Sequence, residues 1–367
     1  MVSLNHSVCT VIPPHIHRHA AASGDPDAFH TASMAMLSEL TLPVARKLLL
    51  PEQEPGPLTI SRTRRIFDAG GRELLPGQLV LDERSPDAST DVHALEAFRA
   101  LGATYNFLAI IFLRNSIDNH GMGLDATVHY REGYANAFWN GRQMVFGDGD
   151  GKLFGRFTSA VEVVSHQLMH GVVQDSARLP YTGQSGALCE HLADAFGMMT
   201  RQFYFCESAR KSRWLIGDGI FGPAVRGKGI RSMLHPGTAY DDPILGRDPQ
   251  PRHMRDYVHS PEDNGGVHIN SGIPNRAFAL AALELGGFSW SVLGRIWYRV
   301  MTSKLLPDAT FSSFASDTVA SAGELYGHGG SVQDTVLKAW QTVGVLTRRP
   351  LRSARQMAAV PRPRERR

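Results

Sequence analysis

The sequence predicts an α+β protein with a β-rich N-terminal lobe, a mainly α-helical C-terminal lobe and helices carrying a polar constellation between them. Three observations predict it. The chain is 367 residues long and 43% hydrophobic, enough for a core in each of two lobes. Over residues 64–83 apolar and polar residues alternate, residues 126–157 read as strands and turns, and Gly, Asn and Asp punctuate both stretches. From Ser159 onward the apolar spacing changes to threes and fours.

Residues 1–60 read as a separate segment ending in a linker. They hold Pro13-Pro14, the histidines His15, His17 and His19, an Ala-rich helical stretch near 31–48, and Pro51, Pro55 and Pro57. The His15/His19 pair is read as a surface patch. RRIFDAGGRELLPGQLVLDE, with Gly70-Gly71 and Pro76-Gly77, has hairpin chemistry. Residues 92–113 have helical spacing through Ala97, Leu101 and Tyr105. Residues 126–157 read as strands and turns, with Asn140-Gly141 and Asp148-Gly-Asp-Gly151 as the turns. The latter lacks the distal Glu of a calcium loop and is read as a hairpin turn. Helices are expected over 160–175, 187–206, 270–285, 290–303, 311–325 and 331–343. Gly222–Gly229 imitates a phosphate-binding loop, but no Ser or Thr follows Lys228, so it is read as an ordinary loop.

Composition excludes several classes. No run of about 18 apolar residues suggests a membrane span, and the first twenty residues contain no apolar core of a secretory leader. Cys9, Cys189 and Cys206 are too few for a disulfide framework. Beyond Thr347, eight arginines against one acid give +7, which leaves −4 for the rest of a chain whose total is +3. Residues 347–367 are therefore expected to be a solvated, disordered Arg/Pro tail, and the acidic body gives no support for nucleic-acid binding.

The chemistry concentrates in VEVVSHQLMHGVV. His166 and His170 are four apart, about 400° on a helix, so both imidazoles share one face and can grip a divalent ion such as zinc. Alone the pair is weak, since 16 histidines in this length give roughly 0.7 such pairs by chance. Twenty residues on, Glu190 and Asp194 share a face of another helical stretch rich in Leu and Ala. Buried carboxylates need partners. Glu190 completes a two-His, one-Glu ligand set with a fourth position open, and Asp194 can accept the remaining N–H of a ligand imidazole.

VHYREGYANAFWNGRQMVFGDGDG, VEVVSHQLMHGVV, YTGQSGALCEHLADAFG, WLIGDGIFGP, IRSMLHPGTAYDDP and DNGGVHINSGIPN, spread over residues 63–345, resemble the thermolysin-like neutral zinc metallopeptidases. With Ile12-Pro13-Pro14 near the N-terminus, the chain is most similar to the protealysin-type subgroup, which has a short propeptide and no secretory signal. The resemblance implies one zinc ion held by His166, His170 and Glu190, with Asp194 behind a ligand histidine. It implies that Tyr181 and His268 stabilise the tetrahedral oxyanion and that Asp263 supports His268. It implies that Asn136 and the Ala137 carbonyl bind substrate backbone. Arg231, Val163 and Ile230 match the pocket for a large apolar residue just after the scissile bond.

Gln167 stands where this family has the glutamate that takes a proton from the attacking water and passes it to the leaving amine. An amide can orient water but cannot carry that proton. Arg201 stands where calcium-binding relatives place a glutamate, so the double-calcium site is not expected, although calcium elsewhere stays open. Cys189 replaces the usual Asn and is read as a small buried hydrophobe. Cys9 as a zinc-capping thiolate is the less favoured reading of that residue.

The functional expectation is a thermolysin-like endopeptidase with strongly impaired hydrolysis. The alternative is a zinc-binding pseudoenzyme that holds peptides or a partner without cleaving. A structural protein without metal is disfavoured by the retention of the whole implied site. Expected domains are a propeptide-like segment and linker (1–60), an N-terminal lobe ending in the zinc helices (61–195), a helical lobe (196–346) and the tail (347–367). Expected partners are a peptide or protein ligand and the chain's own propeptide in the cleft, with no nucleic acid or membrane and a monomeric state. The cytoplasm, or export without a classical signal, is the expected location.

Overall fold

The structure is a computed structural model that describes residues 10–48 and 62–347. The linker prolines, Cys9 and the Arg/Pro tail lie outside the described residues. Two helices open the chain, α1 (Pro14–Ala22) and α2 (Pro26–Leu48). Pro14 begins α1 because its missing N–H is no loss in a first turn. The pair β1 (Arg64–Asp68) and β2 (Gln78–Asp82) is antiparallel, with a bulge between Ile66 and Phe67. Helix α3 (Val92–Phe112) follows, started by Asp91, whose carboxylate accepts Ala94 N–H at 2.8 Å.

Strands β3 (Leu124–Val128), β4 (Ala137–Trp139) and β5 (Gln143–Phe146) complete a five-stranded mixed sheet in the order β2-β1-β3-β5-β4. β3 runs parallel to both β1 and β5, and β4 is antiparallel to β5 through the turn at Asn140-Gly141. Among the described residues α3 is the one helix long and apolar enough to cross a membrane. More than half of it is buried against the sheet and the next helix, the environment of a core helix. The Asp148–Gly151 turn is not a hairpin. Phe154 beyond it pairs with Phe221, and Asp150 Oδ1 accepts the N–H groups of Lys152, Leu153 and Phe154 at 2.8–3.0 Å. This side-chain cap closes the turn locally.

The remaining helices are α4 (Val161–Ser176), α5 (Gly183–Tyr204), α6 (Asp263–Asn270), α7 (Gly272–Leu285), α8 (Leu293–Ser303), α9 (Phe311–Tyr326) and α10 (Ser331–Thr342). Between α5 and α6 the chain forms two-residue strands β6 (Leu215–Ile216), β7 (Arg231–Ser232), β8 (Asp241–Asp242) and β9 (Gly246–Arg247), too short to show alternation. Gly222–Gly229 lies among them with no helix following. The C-terminal core is built on Trp297 stacked against Trp340, with Phe314 edge-on to both.

α4 and α5 lie between the lobes and pack closely on each other. Gly197 permits it, because a Cβ there would stand 2.6 Å from the Glu162 carbonyl oxygen. That close approach sets the carboxylates of α5 opposite the imidazoles of α4.

Candidate active site

His166 and His170 project from α4, and Glu190 from α5. The Nε2 atoms of the two histidines are 3.1 Å apart; Glu190 Oε2 lies 3.6 Å from His166 Nε2, and Oε1 lies 3.5 Å from His170 Nε2. His166 Nδ1 lies 2.8 Å from Asp194 Oδ1. A carboxylate accepts only, so that nitrogen holds the proton and Nε2 presents a lone pair. Ligands about 2.0–2.1 Å from a tetrahedral zinc stand roughly 3.3 Å apart. The three spacings and the N, N, O donor set therefore fit zinc. Burial holds the His170 pKa down to about 3, against the pull of Glu190, so the imidazole stays neutral as a ligand must. Glu190 stays ionised: burial would raise its pKa, but His268, His170 and His166 bring it to about 2.

Behind the trio Asp194 is fully buried. Besides His166 it accepts from Arg231 Nε and Nη2, each at 2.9 Å, and from Asn275 Nδ2 at 2.8 Å. Asn275 was not singled out from the sequence, and its 81-residue distance from Asp194 leaves no periodic signal. Arg231, Val163 and Ile230 are all buried, and Ile230 packs where Gly217 leaves room.

α6 opens with a left-handed turn, φ 50° at Asn264, 88° at Gly265 and 75° at Gly266, which the two glycines adopt without strain. The turn folds Asp263 back on His268: Oδ2 accepts His268 N–H at 2.9 Å, and Oδ1 sits 2.7 Å from Nδ1. His268 Nε2 is 3.3 Å from Tyr181 OH and 3.5 Å from Glu190 Oε2. Tyr181 OH also donates to Glu190 Oε1. Burial opposes a charge on His268, but Glu190 and Asp263 outweigh it and raise the pKa to about 9. Two proton donors thus converge beside the trio.

Gln167 is fully buried one residue from His166. Its Oε1 accepts Trp139 N–H from β4 at 3.2 Å, and Nε2 has no partner among the described residues. The backbone donor fixes the amide, so the remaining atom is a donor without a lone pair.

β4 is the free edge of the sheet, and residues 10–12 run along it. Thr10 bridges Phe138 antiparallel, Val11 N–H donates to the Ala137 carbonyl at 2.9 Å, and Ile12 N–H donates to Asn136 Oδ1 at 2.9 Å. Asn136 Nδ2 approaches the Ile12 carbonyl at 3.3 Å and His17 Nε2 at 3.2 Å. The expected surface patch is corrected here. His19 is exposed, but His15 is half-buried and bonded to Tyr240 OH at 3.0 Å, and His17 is fully buried. The cleft buries them, which local composition cannot show. Arg18 pairs with Glu262 at 2.7 Å and anchors α1 across the opening.

Arg201 sits 3.6 Å from Glu162 and 2.6 Å from Glu207. Glu162, also not singled out, stands one turn before His166, a spacing that was readable. Cys189 is buried, and burial pushes its thiol well above the usual range, which fits an inert packing residue.

Residues 61–174 match the model of the thermolysin metallopeptidase catalytic domain, and residues 177–345 that of the thermolysin metallopeptidase alpha-helical domain. The chain is 48% identical over 344 residues to an extracellular metalloprotease of Pectobacterium carotovorum subsp. carotovorum, covering 93% of this chain and 97% of the relative. It is 48% identical over 285 residues to protease PrtS of Photorhabdus sp. (strain Az29), covering 77% and 76%. The solved precursor of protealysin, a metalloproteinase from Serratia proteamaculans, superposes with a TM-score of 0.83 at 46% identity, over 92% of this chain and all of that one.

Proposed function

The chain belongs to the thermolysin metallopeptidase family, and on that premise we propose that it is a zinc endopeptidase whose hydrolytic step is strongly impaired by Gln167 and whose cleft is filled by its own N-terminal segment. The observation that carries the reading is the trio itself: two imidazoles and a carboxylate, buried, with donor atoms 3.1–3.6 Å apart. His166, His170 and Glu190 hold the zinc ion, which supplies Lewis-acid polarisation of the scissile carbonyl and of the attacking water.

The other roles belong to the chain's own groups. Asn136 and the Ala137 carbonyl hold an extended substrate backbone as they hold Val11 and Ile12. Val163, Ile230 and Arg231 line the primed side, where a large apolar residue is preferred. Tyr181 OH and His268 Nε2–H donate to the developing oxyanion, and Asp263 keeps His268 aimed and charged. His268, held charged by Glu190 and Asp263, is also placed to serve the leaving amine. Gln167 cannot accept the proton of the attacking water, and loss of general acid–base help costs about 10²–10⁴-fold, or roughly 3–5 kcal/mol of barrier.

Residues 1–60 act as a retained propeptide, with the lobes at 61–195 and 196–346 closing around it. A calcium pair is not part of this reading, because a guanidinium occupies Glu162. Export agrees with the extracellular designation of the Pectobacterium relative. The donor character of Gln167 Nε2 supports a second reading, a pseudoenzyme that binds extended peptides without cutting them.

The test compares the wild type with Gln167→Glu, at measured zinc content, on a peptide with a large apolar residue after the scissile bond. A glutamate there keeps one oxygen on Trp139 N–H and gains a free acceptor. The expected gain in kcat/KM is about 10²–10⁴-fold. No turnover by either protein, with zinc bound, establishes the pseudoenzyme. Absence of zinc refutes both readings. A wild-type product starting near residues 49–62, formed without added protease, refutes retention of the propeptide.

A further inference from the structure

A second group of metal-ligating side chains lies outside the cleft. His93 is in the first turn of α3, His129 follows β3, and Asp148 opens the turn after β5. We propose that His93 Nδ1, His129 Nδ1 and Asp148 form a second site for a borderline divalent cation of the zinc class, separate from the catalytic trio.

The donor atoms of the three side chains converge. His129 Nδ1 is 2.9 Å from both oxygens of Asp148, and His93 Nδ1 is 3.3 Å from Asp148 Oδ1. All three donor atoms lie within 4.8 Å of one another. The imidazole rings are 4.8 Å apart and tilted by 49°, so they converge rather than stack. His93 Nδ1 is shielded from solvent yet makes no hydrogen bond among the described residues: it sits beside the carboxylate oxygen without the alignment of a donor. A polar atom in that position is unpaid desolvation unless something else binds it. The His93–Asp148 edge of 3.3 Å is that of tetrahedral ligands and the His129–Asp148 edge, 2.9 Å, is shorter; water is free to fill the open position because Asp148 is exposed.

Charge favours a dication. Asp91 Oδ1 lies 3.3 Å from His129 Nε2 on the far side of the ring. With both imidazoles neutral, Asp91 and Asp148 leave two negative charges around the cluster. Asp91 fixes His129 from behind, as carboxylates do for ligand histidines. Two nitrogens select zinc, cobalt, nickel or copper over the hard ions calcium and magnesium. The competitor is a proton on His129 Nδ1, which would make the cluster an Asp91–imidazolium–Asp148 ion triad.

The site ties the start of α3 and the end of β3 to the turn that receives the N-terminal segment. Two residues beyond Asp148, Asp150 accepts Thr31 Oγ1 from α2 at 3.0 Å, and Lys152 pairs with Asp27 at 2.8 Å. An ion bound here acts as a clip at the base of that docking surface.

The test is equilibrium dialysis of the full-length protein against micromolar free zinc, with metal per chain read by elemental analysis. The expected result is one zinc fewer per chain in His129→Asn and in Asp148→Asn than in the wild type. That difference does not depend on whether the catalytic trio is filled. His93→Ala leaves the His129–Asp148 contact intact and guards against misfolding; at least a tenfold weaker second binding event is expected. Cobalt substitution should add an intense visible band that His129→Asn removes. Equal zinc content in the wild type and the His129 and Asp148 variants overturns the proposal and assigns the cluster to the ion triad, as does a His93→Ala variant with unchanged affinity.

Discussion

Replacing Asp194 by Asn changes one atom and should be felt at two distances. The carboxylate has His166 Nδ1 and Arg231 Nη2 on one oxygen, and Arg231 Nε and Asn275 Nδ2 on the other. An amide has one acceptor. Whichever way it is turned, its NH₂ faces two donors, and Arg231 loses its ion pair with Asp194 in a site 2% exposed. Stranding one partner of a buried ion pair costs about 3–5 kcal/mol. At roughly 2–4 °C per kcal/mol, Tm should fall by roughly 6–20 °C. His166 also loses the acceptor that fixes its tautomer, so zinc affinity should fall about 10–100-fold. Calorimetry and zinc competition with a chromogenic chelator measure the two effects. Adding Arg231→Met removes the stranded charge and should recover most of the Tm but not the zinc affinity. A variant within about 2 °C of wild type, with unchanged zinc affinity, would refute the assignment of Asp194 as the joint between the metal ligands and Arg231.

Asn136→Ala strands the backbone N–H of Ile12, whereas the Ile12 carbonyl still accepts from Thr10 Oγ1 at 3.2 Å; the loss in docking is about 1–3 kcal/mol, so hydrogen exchange at Val11 and Ile12 should quicken roughly 5–150-fold; unchanged protection would contradict the strand pairing. Burial lowers the His17 pKa from 6.5 to about 4. The docked state therefore excludes a proton that the undocked state binds, and docking should weaken as pH falls from about 6.5 towards about 4. His15, pushed down to about 3, adds to the same trend. Limited proteolysis of residues 10–48 across that range checks it, and His17→Phe should flatten the response. Burial lifts Glu162 from 4.5 to about 7 against the pull of Arg201. Its contribution to stability is full below pH 4.5 and is lost as pH rises through about 7. Glu162→Gln should remove that slope in urea unfolding; an identical slope would refute the assignment.

Some of this was legible and some was not, for physical reasons. Helical period places His166 with His170 and Glu190 with Asp194, because the relation spans one turn. The hairpin at β1–β2 and the switch to helices at α4 likewise follow from local patterning. Arg231 and Asn275 reach Asp194 from 37 and 81 residues away, and no period encodes such a meeting. His17 lies between His15 and His19, the pair read as surface, and nothing local marks it as different; a cleft edge 119 residues away makes it interior. Strands β6 to β9 are two residues each, below the length at which alternation exists. The start of α6 is left-handed and sits where a helical pattern cannot announce itself.

The pairing of Thr10 to Ile12 with β4 has a consequence for which proteins this cleft can meet. An edge strand asks its visitor for unpaired main-chain N–H and C=O groups and for a fixed chain direction, whatever side chains it carries. Native domains have already spent those groups on themselves. The visitors open to it are slack loops, frayed ends and unfolded chains, so the conformational state of a neighbouring protein, before its composition, decides whether it is admitted.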